Sequence, residues 1–85
     1  MNNSTKIVAF WLQTDEHRAE GLAAAKALLA DRRRNTLESA TFKACFPNAR
    51  EGITPMAEML VKAALIQVDW LDAARAIIAA ERISL

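Results

Sequence analysis

Only two glycines and two prolines punctuate the 85 residues of this chain. Three of the four, Pro47, Gly52 and Pro55, fall within one stretch, FPNAREGITP. Glycine and proline are the strongest breakers of regular backbone, so a cluster of them marks a loop. That loop, over 47–53, divides one domain into an N-terminal part, 1–46, and a C-terminal part, 54–85. The fourth breaker, Gly21, lies inside an alanine-rich helical pattern. A domain of this size buries a modest share of its surface, which makes dimerisation an expectation from the start.

Between Asp15 and Arg34 the residues are mostly Ala, Leu, Glu, Lys and Arg, the strongest helix formers, with Leu22, Ala25 and Leu29 at helical spacing. Thr14 or Asp15 is the expected cap, Asp15 and Glu16 suit the positive end, and Arg32, Arg33 and Arg34 suit the negative end. A shorter helix is expected over Thr36–Phe46, stopped by Pro47. After the loop, Thr54 is a good N-cap and Pro55 suits the first helical position, where its missing N–H costs nothing. The apolar run from Met56 to Ile66 continues as one long helix over 55–82 or as two joined near Val68, with Asp69 as the second cap. Its polar stripe is narrow, so most of its surface calls for a cover, either the N-terminal helices or another subunit. EGLAAAKALLADRR at 20–33 and DWLDAARAIIAAER at 69–82 share an order of small, basic and branched residues. Alanine faces of this kind let two helices approach closely.

Residues 1–4 read as a flexible tail, and six consecutive apolar residues follow, Ile7 to Leu12. As a helix, 5–13 would bring Ile7, Phe10 and Trp11 together, capped by Ser4. As a strand, Val8, Phe10 and Leu12 form one face and Ile7, Ala9 and Trp11 the other. Ile, Val, Phe and Trp are all enriched in sheets, which favours the strand. No second strand candidate exists in the chain, so a strand here must pair with the same segment of another subunit to satisfy its backbone.

A polar tail, one short strand over KIVAFWL, an acidic turn and a long helix together resemble the ribbon-helix-helix family of dimeric DNA-binding proteins. The matching residues are KIVAFWLQTDEH. The resemblance implies a mostly α fold with an N-terminal β-ribbon shared by two subunits, followed by three to four helices. It places Val8, Phe10 and Leu12 in the dimer core and Thr5, Ile7, Ala9 and Trp11 toward the major groove. It also gives Asn35 and Thr36, or Thr54, the role of a helix N-terminus offered to phosphate. Ile7, Ala9 and Trp11 carry almost no hydrogen-bonding groups for base edges, so that outer face also suits a protein surface.

Arg32, Arg33 and Arg34, with Lys26, Lys43 and Arg50, form the one concentrated positive charge. Arginine forks match phosphate oxygens, and a solvated helix end is the alternative use of the same residues. With a net charge of +1, no global field favours nucleic acid or an anionic membrane. His17 is a lone histidine and reads as a surface residue. Cys45, the single cysteine, lies between Phe42 and Phe46 as a core hydrophobe does, and it excludes an internal disulfide in agreement with a cytoplasmic protein. No phosphate loop, paired-carboxylate pocket or Ser-His-Asp set is present, so no catalysis, cofactor, metal or small-molecule substrate is expected. No stretch approaches the length needed to span a bilayer.

Two functions follow. The first is a small homodimeric DNA-binding regulator that contacts phosphate through Arg32, Arg33, Arg34, Asn35 and Thr36 and dimerises through Val8, Phe10, Trp11 and Leu12. The alternative is an all-α bundle serving as an adaptor or inhibitor of another protein, with Trp11 and Trp70 as its aromatic anchors.

Overall fold

The computed structural model describes residues 1–47 and 52–83 and contains five helices among them: α1 (Asn3–Trp11), α2 (Arg18–Ala30), α3 (Thr36–Cys45), α4 (Pro55–Ile66) and α5 (Trp70–Ile83). The all-helical alternative therefore describes the architecture, and the N-terminal strand does not exist. Residues expected to be extended form α1, and Asn3 and Ser4, expected in a tail, are its first turn. The middle of the loop expected over 47–53, with Arg50, lies outside the described residues.

The reason α1 is a helix lies in what docks against it. Thr5, Val8, Ala9 and Leu12 are all buried, and their i, i+3, i+4, i+7 spacing makes one helical face. The cap is Asn2, not Ser4: its Oδ1 accepts from the Thr5 amide at 2.8 Å and from the Thr5 hydroxyl at 2.7 Å. The Thr5 Oγ1 in turn accepts from the Asp69 amide at 2.8 Å, and Asn2 Nδ2 donates to the Gln67 carbonyl at 2.6 Å. Burying Val8 and Leu12 contributes about 1.5–3 kcal/mol each, against a strand propensity whose whole scale spans about 1 kcal/mol. Packing wins.

The same clasp explains why the C-terminal part is two helices. Asn2 and Thr5 hold the Gln67 carbonyl and the Asp69 amide, two groups a continuous helix would bond within itself, and Val68 between them turns into the core. Asp69 then accepts from the Asp72 amide at 3.2 Å and opens α5. Thr54 caps α4 by accepting from the Ala57 amide at 3.2 Å, with Pro55 as the first helical residue.

α2 is shorter than the sequence suggests. Thr14, expected to start it, instead donates its hydroxyl to the Trp11 carbonyl at 2.6 Å and finishes α1. The next helix opens only at Arg18, with His17 in the cap position and no side-chain cap. It ends at Ala30, so Arg32, Arg33 and Arg34 lie beyond its last turn rather than on it.

α2 and α5 make the most extensive helix–helix contact, through buried Ala24, Ala25, Ala73 and Ala74. They run antiparallel, since Arg18 near the start of α2 pairs with Glu81 near the end of α5 at 2.8 Å. Leu28, Leu37, Ile77, Val8, Leu12 and Val68 complete the core, with Trp70 half-buried on its edge. α4 stands apart: Leu65 is its one buried residue.

Candidate functional site

α4 owes its place to its composition. At about 100° per residue, apolar side chains occupy roughly 260° of its circumference, leaving a stripe for Glu58 and Lys62 alone. Those two pair with each other at 2.8 Å. A helix of this kind is stable only where its apolar surface is covered, and the rest of the chain covers little of it. Met56, Met59, Leu60 and Ile66 on α4 are 66–78% exposed.

Between α4 and α1 runs an open groove of about 400 Å³. Ile7 and Trp11 of α1 form one rim, and Val61 and Ala64 of α4 face them. Val8, Leu12, Leu65 and Val68 reach it from the core, and Thr41, Ala44 and Cys45 of α3 contribute to its lining. Ile7 and Trp11 are each 58% exposed, and Phe10, outside the groove, stacks its ring edge-on to Trp11 with centroids 5.6 Å apart.

Among the described residues, no Asp, Glu, Lys or Arg lines the groove. Its polar groups are the Ser4 and Thr41 hydroxyls, the Cys45 thiol and the His17 imidazole. The Thr41 hydroxyl is already donated to the Leu37 carbonyl at 2.8 Å. His17 and Cys45, far apart in sequence, come to the same groove. Desolvation raises the Cys45 thiol above its ordinary value even though the residue as a whole is exposed, so it ionises less readily than a free cysteine and is a slow nucleophile. Among the described residues no group of three or more His, Cys, Asp or Glu is placed to hold a metal, and no helix is long and apolar enough to cross a membrane.

The residues expected to pair two strands separate into two roles. Val8 and Leu12 are buried inside the subunit, whereas Phe10 and Trp11 point outward, because a helix and not a pleat sets their directions. The ribbon expected to enter a DNA groove is therefore not formed. Trp70 packs on the core at the start of α5, away from the groove. Arg32, Arg33 and Arg34 are exposed in the turn between α2 and α3, where the Arg33 amide donates to Asp31 Oδ1 at 3.0 Å.

Asn35 caps α3 by accepting from the Glu38 amide at 3.0 Å, and its Nδ2 donates to the Glu38 carboxylate at 3.3 Å. Thr36 donates to the Ala24 carbonyl at 3.1 Å. The end of α3 expected to meet phosphate thus already holds the Glu38 carboxylate.

Sequence reasoning left out Val61, Ala64, Ala44 and Leu65 as site residues. The signal that pointed toward them was the narrow polar stripe of the 56–66 run. No family model, curated protein or solved structure matches the chain.

Proposed function

We propose that this chain is a non-catalytic interaction module that receives an amphipathic helix in the groove between α1 and α4. The observation that carries this reading is the continuity of exposed apolar surface from Met56, Leu60 and Ala64 on α4 across the groove to Trp11 and Ile7 on α1. Each large apolar side chain left in water forgoes about 1.5–3 kcal/mol of burial, so a helix covering several of them is strongly favoured. A groove whose described lining carries no Asp, Glu, Lys or Arg, rimmed by an aromatic residue, selects a partner by apolar side chains at i, i+3, i+4 and i+7. Methionines at its edge adapt to more than one shape.

The test is alkylation of Cys45 in the groove at low protein concentration. Synthetic amphipathic helices are expected to slow it, and the Ala64→Glu variant is expected to lose that protection. Peptides that leave the rate unchanged in the native chain would overturn the reading.

A second reading, contact with nucleic acid, is favoured by the three exposed arginines at 32–34. It rests on them alone, since Asn35 is engaged in the α3 cap and the Thr36 hydroxyl in a bond to the Ala24 carbonyl of α2.

A further inference from the structure

We propose, building on the groove reading, that the helix received is α4 of a second copy of this chain, so that two copies pair about a two-fold axis with their α4 helices antiparallel. Three observations carry this. The first is area: the chain exposes 6124 Å², whereas a monomeric protein of its 9.4 kDa exposes about 5,000 Å². The excess, about 1,100 Å² summed over the whole chain, is of the order of the roughly 800 Å² that each partner contributes to a standard interface.

The second is self-complementarity. A two-fold interface must present the same surface from both sides, and α4 carries an apolar strip, Met56, Met59, Leu60, Ala63 and Ile66, beside the groove wall that would receive it. The boundary between strip and wall runs along Ala57, Leu60 and Ala64. Small residues there permit close approach, with one large side chain to fill the space between the two helices. About a two-fold axis passing near Leu60, Ala57 of one copy faces Ala64 of the other and the two Leu60 side chains meet.

The third is charge. Among the described residues the strip and the groove hold no Asp, Glu, Lys or Arg, and the two charges of α4, Glu58 and Lys62, are paired within the helix on its other side. Nothing opposes the approach of two identical faces. α1 then meets the strip of the second copy through Ile7 and Trp11.

Solution mass by sedimentation equilibrium over a wide concentration range tests the proposal. The native chain is expected to approach twice 9.4 kDa as concentration rises. Leu60→Glu, at a position that is 66% exposed and does not line the groove, is expected to raise the dissociation constant about a hundredfold, because both copies lose a central contact. Ile66→Lys serves as a second such variant, and circular dichroism checks that both keep their helicity. Alkylation of Cys45 is expected to slow with concentration in the native chain and not in Leu60→Glu.

A native chain that stays at 9.4 kDa throughout, or folded variants that associate as it does, would overturn the dimer. If that monomeric chain still loses Cys45 reactivity to an amphipathic peptide, the groove reading stands and only the second copy is excluded. If no peptide protects Cys45 either, both fall.

Discussion

Gly21 and Leu12 approach so closely that a β-carbon on Gly21 would lie 2.7 Å from the Leu12 carbonyl oxygen and 3.0 Å from its β-carbon. The glycine inside an alanine-rich helix is thus required by the end of α1 that crosses it. Gly21→Ala sets a gain in helix propensity of about 1 kcal/mol against overpacking of about 1–3 kcal/mol. The atom struck is backbone and Leu12 is buried, so the clash is expected to win. Thermal unfolding should show Tm lowered, at about 4–8 °C per kcal/mol lost.

Thr5 joins α1 to the start of α5 through a hydroxyl that accepts from the Asp69 amide and donates to Asn2. Thr5→Val keeps the shape and takes the acceptor from the partly buried Asp69 amide, a loss of about 1 kcal/mol. Thr5→Ser is expected to recover most of it. Urea unfolding of the pair, with unchanged slope, separates the hydroxyl from the methyl group.

Arg32, Arg33 and Arg34 are exposed in a turn, and their replacement by alanine is expected to change stability by less than about 0.5 kcal/mol. On the helix-docking reading the triple variant also keeps peptide protection of Cys45. Fluorescence anisotropy with duplex DNA at low salt examines the second reading: salt-sensitive binding by the native chain, lost in the triple variant, would assign these residues to phosphate.

The Cys45 thiol, raised by desolvation, ionises later than an ordinary cysteine. Its alkylation rate is expected to keep climbing at alkaline pH after that of a free thiol has levelled. Because the folded group holds its proton to higher pH than the unfolded one, ionisation works against the folded state as pH rises. Denaturation removes the difference, and the two pH–rate curves should then coincide.

The parts of this fold written in local chemistry were legible. Thr54 followed by Pro55 marks the start of α4, and Asp69 marks the start of α5, because a cap depends on residues three apart. The alanines of 20–33 and 69–82 anticipated the α2–α5 contact. The opening segment misled because Ile7, Phe10 and Trp11 draw the eye to sheet propensity, whereas Thr5, Val8, Ala9 and Leu12 decide its structure. The partners that Asn2 and Thr5 hold, Gln67 and Asp69, are more than 60 residues away. The groove was hidden for the same reason, since it exists only where α1, α3 and α4 converge. The need for a cover over α4 was visible in its narrow polar stripe, but the location of its open side was not.

The unequal settings of the two tryptophans make the molecule its own pair of optical reporters. Trp11 stands at the groove rim in water, and Trp70 is half-buried against the core, so their emission colours differ in the native chain. Replacing one at a time with phenylalanine leaves a single indole that senses either occupancy of the groove or loss of the core. Ligand capture and unfolding can then be followed separately in unlabelled protein.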